Sequence, residues 1–150
     1  IAIMRDGRFE QIAVADEIYG KPFSRFVAEF MGEVNLFPLA SDAKGALSSD
    51  VLKINHSTKL DAVPPDSRGL LMVRPEYMRF AEGANSHDFT LTGIFQGEYA
   101  LGSRIQYELK TPKGIVTVEK LREDRLSARE GDTVALGFNS DVTHFIGDAT

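Results

Sequence analysis

Arg74-Pro75-Glu76 is the most pointed local motif in the chain, and Arg79 and Arg104 lie at the ends of nearby apolar segments. Guanidinium groups hold oxyanions through bidentate hydrogen bonds, so a convergence of Arg74, Arg79 and Arg104 would make a candidate oxyanion site. The plainer reading of Arg74-Pro75-Glu76 is a strand end. Pro75 donates no N–H, and residues two apart in extended chain share a face, where Arg74 and Glu76 can pair locally. Other site chemistry finds little support. His56, His87 and His144 are widely spread and form no i, i+4 pair, the spacing of scattered surface histidines rather than of a metal centre. No Gly-x-Ser-x-Gly elbow occurs, and Gly102-Ser103 reads as a tight turn. Glu123-Asp124 and Glu130/Asp132 sit beside turn residues, where solvated charges are expected. No Gly-x-x-x-x-Gly-Lys-Ser/Thr loop is present, so the residues offer no phosphate cradle, and no ATP hydrolysis or other enzymatic activity is expected of them.

The composition sets the frame around these residues. With 43% hydrophobic and 26% charged residues over 150 positions, the chain is ordinary globular material, long enough to bury a core without staples. A net charge of -5 argues against generic nucleic-acid or anionic-membrane binding. The absence of cysteine removes disulfides, thiolate metal sites and a cysteine nucleophile. No apolar run approaches the ~20 residues of a membrane span. The chain starts at Ile1, inside a strand pattern, and reads as a piece of a longer protein.

Two kinds of element must position the candidate residues. Residues 1–14 read as a hairpin around Asp6-Gly7, since Gly accepts the positive φ of a tight reversal. Asp16 is placed to cap a short helix through Tyr19, ended by Gly20. Pro22 opens a second helix whose Phe23, Phe26, Val27 and Phe30 fall at i, i+3, i+4 and i+7, closed by Gly32. That aromatic face is expected to be buried, and Phe23, Phe26 and Phe30 are candidate packing or interface residues. From Leu36 onward the pattern is β. Phe89–Phe95, Ile105/Tyr107/Leu109, Val116/Val118 and Val134/Leu136/Phe138 alternate with turn signals between them, as in a small barrel or sandwich. The fold class is therefore mainly β: an OB-like barrel, 35–150, preceded by a hairpin and two short helices, 1–34.

The first 35 residues resemble the end of the ATPase domain in ATP-binding subunits of ABC-type importers. The resemblance rests on Ile1-Ala2-Ile3-Met4-Arg5-Asp6-Gly7-Arg8-Phe9-Glu10-Gln11-Ile12, then Asp16-Glu17-Ile18-Tyr19-Gly20-Lys21-Pro22, then Phe26-Val27-Ala28-Glu29-Phe30-Met31-Gly32-Glu33-Val34-Asn35. Order and spacing follow the family's strand, "Glu-Ile-Tyr-x-x-Pro" helix and "Phe-Val-Ala-x-Phe-Met/Ile-Gly-x-x-Asn" helix. Gln11-Ile12-Ala13-Val14 stands where the family has a Gly-Thr-Pro turn. The remainder resembles that family's TOBE regulatory domain, an OB-like barrel, through Val73-Arg74-Pro75-Glu76, Gly93-Ile94 with Gly102-Ser103, and Glu130-Gly131-Asp132-Thr133-Val134. Ser127-Ala128-Arg129-Glu130 is similar to the Ser-Ala-Arg-Asn of molybdate-binding domains, but it lies too late in the strand order and lacks the Asn, and is set aside as coincidence.

The resemblance implies a polyamine-, iron-, thiamine- or phosphonate-type importer subunit, with the Walker motifs, signature helix and switch histidine ahead of Ile1. It implies Mg-ATP as the cofactor of the complete subunit and none in this region. It further implies a second copy as partner, a membrane permease reached through the complete subunit, and a place on the inner face of the cell membrane. No nucleic-acid partner is implied. The region itself reads as the regulatory and dimerisation module; the alternatives are a stand-alone small-oxyanion-binding protein on paired barrels and, less well supported by the acidic balance, a single-strand nucleic-acid binder. An appendage without its parent sheet leaves an edge and an apolar face open, so residues 1–34 are expected to pack on the barrel or exchange with another copy.

Overall fold

In the computed structural model, which describes residues 1–83 and 85–148, the chain begins with a hairpin of β1 (Ala2–Arg5) and β2 (Arg8–Ile12). Asp6 and Gly7 both take positive φ, 51° and 77°, as a two-residue turn matching strand twist requires. Helix α1 (Ala15–Gly20) follows without a side-chain cap: its first turn hangs on the Val14 carbonyl, and Asp16 lies inside the helix instead of capping it. Helix α2 covers Arg25–Phe30. It starts three residues later than Pro22 suggested, because the Ser24 side chain accepts the Val27 N–H and fixes the start.

That shift changes which face is covered. Val27 and Ala28 are fully buried, whereas Phe23, left outside the helix, is 70% exposed and Phe30 63%. Phe26 is half-buried against Ile3, Ile18 and Val27, under the Arg5 guanidinium. The continuous buried aromatic face expected from the spacing is therefore not formed; the small residues of α2 face inward and two of the three Phe face out.

The barrel is built from β3 (Asn35–Ser41), β4 (Leu47–Ser48), β5 (Lys53–Ile54), β6 (Arg68–Val73), β7 (Arg79–Phe80), β8 (Phe89–Leu101), β9 (Arg104–Thr111), β10 (Gly114–Leu121), β11 (Thr133–Phe138) and β12 (His144–Gly147). One sheet runs β12-β6-β3-β4 and the other β10-β9-β8-β11-β7, with β5 against the start of β8. All pairings are antiparallel. β8 gives the second sheet its curl. Its first half pairs with β11 and its second half with β9, and the register shifts between Phe95 and Gly97 where the strand bends.

Alternation fills the interior from both sheets. Phe37 and Leu39 of β3, Leu71 and Val73 of β6, Ile105, Tyr107 and Leu109 of β9, and Leu136 and Phe138 of β11 share one core. Phe37, Phe138 and Phe89 stack in sequence, with centroid separations of 5.6 and 5.1 Å. β6 is apolar on both faces because both are covered: Met72 turns outward onto Ala28 of α2 and Ile146 of β12. Residues 1–34 thus pack on the barrel of their own chain, while β1 and β2 pair only with each other among the described residues. No helix of the described residues is long and apolar enough to cross a membrane.

Candidate functional site: the helix–barrel junction and its flanking clefts

Pro75–Tyr77 forms a 3-10 turn at the end of β6, and this turn separates Arg74 from Glu76. They do not pair with each other as the extended reading suggested. Both reach Tyr19 of α1 instead, and Arg74 also reaches α2 and the residues after it. Arg74 is 1% exposed. Its Nη2 and Nε donate to the Tyr19 carbonyl at 2.9 and 3.3 Å, and its Nη1 donates to the carbonyls of Ala28, Gly32 and Glu33. The planar fork suits this task, since a helix end leaves carbonyls without intrahelical partners. The guanidinium stacks on the Tyr19 ring, and the Tyr19 hydroxyl donates to the Glu76 carboxylate.

Burial pushes the Arg74 guanidinium below its ordinary value, opposed by Tyr19 and Glu76. Burial and then the bonded Glu76 push the Tyr19 phenol well above its ordinary value, so it stays a donor.

Two amides complete the fastening. Gln11, buried in the hairpin, accepts the Phe23 N–H at 2.8 Å and donates to the Lys21 carbonyl. Asn35, 4% exposed, donates to the Thr117 carbonyl at 2.7 Å and accepts the Thr117 N–H at 2.9 Å. It thereby replaces a strand ladder between the start of β3 and the free edge of β10. His144 adds a further tie: its ring Nε2 lies 2.9 Å from the Pro22 carbonyl, which can only accept, so Nε2 carries the proton. His144 is thus a half-buried junction residue and not a scattered surface histidine. Gln11 and Asn35 stand in the sequence signature, but their roles became visible only with their partners.

Because Thr117 turns both backbone groups toward Asn35, antiparallel alternation turns those of Ile115 and Glu119 to the same free edge. The Asn35 bridge lies between two clefts. One, of about 630 Å³, lies between β3 and the start of β10, with Arg25, Arg68 and Lys113 among its lining residues. The other, of about 580 Å³, lies between the end of β10 and β7 and contains Glu76, Arg79, Arg104, Glu119, Lys120 and Asp124. Arg79 and Arg104 therefore do meet at one cleft. Arg74 does not join them, because its donors are spent on backbone beneath the helices. Arg79 Nη1 donates to the Glu76 and Met78 carbonyls, and Arg104 faces Glu119 at 3.5 Å.

A match to the TOBE domain spans residues 71–146. The spermidine/putrescine import ATP-binding protein PotA of Rubrobacter xylanophilus is 30% identical over 149 residues, 93% of this chain and 38% of that protein. The sn-glycerol-3-phosphate import ATP-binding protein UgpC of Roseobacter denitrificans is 28% identical, with 95% of this chain and 42% of that protein covered. The chain spans about two-fifths of the length of these curated relatives. Among solved structures, the cytoplasmic molybdate-binding protein ModG superposes with a TM-score of 0.56 at 13% identity, covering 73% of this chain and 92% of that one. At that identity the likeness is one of fold, and it supports the OB-like barrel.

Proposed function

The chain belongs to the TOBE-domain family, and from that premise we propose that it is the regulatory and dimerisation region of an ABC importer's ATP-binding subunit. In this reading residues 1–34 close the ATPase domain and 35–150 form the regulatory barrel. The region itself hydrolyses nothing; Mg-ATP is the cofactor of the complete subunit, which works on a membrane permease at the inner face of the cell membrane. A second copy is the direct partner of the barrel, and nucleic acid is not a partner.

The observation that carries this reading is the junction. Arg74 fastens the barrel to carbonyls on both helices, so a displacement of the barrel moves the hairpin and helices with it. A regulatory domain needs such a rigid connection. The exposed apolar residues of 1–30, Ile1, Met4, Phe9, Ile12, Val14, Phe23 and Phe30, supply a face for the rest of an ATPase domain. Relatives named for import of polyamines and of glycerol 3-phosphate match to similar degrees, so the reading specifies a transport role without a solute.

Multi-angle light scattering tests the dimer. The expected mass is twice 16.5 kDa, with no phosphate released from Mg-ATP. A monomer at every attainable concentration overturns the dimerisation reading, and ATP turnover overturns the regulatory one.

A further inference from the structure

We propose that the cleft between β3 and the start of β10 receives an extended acidic segment of a partner protein, which pairs as a strand with β10 at Ile115. This goes beyond the regulatory reading by naming an interaction surface and the chemistry of its partner. Its failure would leave the dimer and the junction untouched.

Two strand edges border this cleft, and they differ in what they have left to offer. On β3, Ala40 pairs with Ser48 of β4, and Pro38 has no N–H while its carbonyl accepts the Ser49 hydroxyl at 2.7 Å. On β10, Thr117 spends both backbone groups on Asn35. Alternation leaves the N–H and C=O of Ile115 aimed at the cleft, with no partner there among the described residues. An open edge of this kind is a template for a strand from another chain. Asn35 occupies the edge at Thr117, so the added strand ends there, and side-chain contacts supply the rest of the affinity.

The lining decides which side chains that strand carries. The chain as a whole has a net charge of -5, yet this cleft gathers Arg25, Arg68 and Lys113 against Asp50. Glu29 matches Arg25 at 2.7 Å, but Arg68 and Lys113, both exposed, have no carboxylate within ion-pair distance among the described residues. A positive excess in an acidic chain selects an acidic partner. Beside the cations, Leu36 and Val51 are half-buried and Ile115 is exposed, which leaves apolar surface to cover. A strand of alternating acidic and apolar residues answers both, since successive side chains leave a strand on opposite sides. Single-stranded nucleic acid, also acidic, fits less well. It needs aromatic faces to stack on, and Phe37, the aromatic residue of this lining, is 3% exposed.

The probe is the blocked peptide acetyl-Glu-Val-Glu-Val-Glu-amide, titrated at low salt into the isotope-labelled chain and followed by amide NMR. The expected result is a saturable shift and slowed hydrogen exchange at the Ile115 amide, with a dissociation constant of about 1 mM or below. The same peptide N-methylated at every backbone nitrogen keeps its charge and loses its strand donors, and acetyl-Lys-Val-Lys-Val-Lys-amide reverses the charge. Each should bind about tenfold more weakly or worse. Arg68→Gln combined with Lys113→Gln should weaken binding about tenfold, the loss of two exposed ion pairs. Arg129→Gln, outside the cleft, should leave it unchanged. No saturable shift at Ile115 up to about 10 mM peptide overturns the proposal. So does equal binding of the N-methylated or the lysine peptide, and so does an oligothymidylate that shifts Ile115 at lower concentration than the acidic peptide. Ile115 protection that grows with protein concentration alone assigns the edge to a second copy and overturns it as well.

Discussion

The Arg74 guanidinium lies 4.2 Å from the centre of the Tyr19 ring, and the same guanidinium donates to the Tyr19 carbonyl. One barrel residue therefore grips both the face and the backbone of one helix residue, and Glu76 holds the hydroxyl at the far end of the ring. Cation–π contact, charge-assisted hydrogen bonds and a buried stem act on the same pair.

Arg74→Met keeps most of the stem and removes all donors. The buried Ala28 carbonyl and the partly buried carbonyls of Tyr19, Gly32 and Glu33 then lose their partner, at a cost of about 3 kcal/mol. Chemical denaturation should show that loss, and amide exchange should place it first in the two helices. Arg74→Lys should recover less than half of it, because a point ammonium cannot span carbonyls that a planar fork reaches. Equal stability of all three proteins would remove the junction's central claim.

Asn35→Asp changes one atom and reverses one bond. The new oxygen faces the Thr117 carbonyl, acceptor against acceptor, in a buried site. The expected cost is about 2–3 kcal/mol at neutral pH. It should shrink at acid pH, where the carboxyl regains a proton to donate. Thermal melts at two pH values measure it.

His144 makes stability fall with acid. Burial lowers its value from the ordinary 6.5, Lys21 adds to that, and the Pro22 carbonyl opposes. The unfolded chain then binds the proton more readily than the folded one, so this contribution is complete above 6.5 and is lost as pH falls through the depressed folded value. Denaturation midpoints at pH 7.5, 6.0 and 5.0 should decline more in the parent protein than in His144→Gln. A parallel decline in both would assign the acid sensitivity elsewhere.

Phe23→Ser and Phe30→Ser should each change stability by less than about 0.5 kcal/mol, as exposed positions do. Val27→Ala, fully buried beside them, should cost about 1–3 kcal/mol. Urea midpoints decide between this order and the reverse, which the aromatic spacing alone favours.

Much of the barrel was legible because its strands alternate. Ile105, Tyr107 and Leu109 face inward as their period of two requires, and ahead of the barrel Asp6-Gly7 makes the turn its chemistry suits. β12 was not legible, since its four residues carry Phe145 and Ile146 side by side and show no period. Phe23 misled because helix periodicity presumes a start, and Ser24 moved it. The junction was visible as a motif without a direction. Arg74 finds its partners 41 to 55 residues away, and all its hydrogen-bond acceptors are main-chain oxygens, which no residue type announces.

Since Arg74 reads carbonyls, the two sides of the junction differ in how freely they can drift. Glu33 contributes an oxygen that every amino acid possesses, so substitutions there leave the fastening chemistry intact. No other side chain reproduces the Arg74 fork. Sequence divergence should therefore accumulate on the helix side, while the barrel side tolerates almost none.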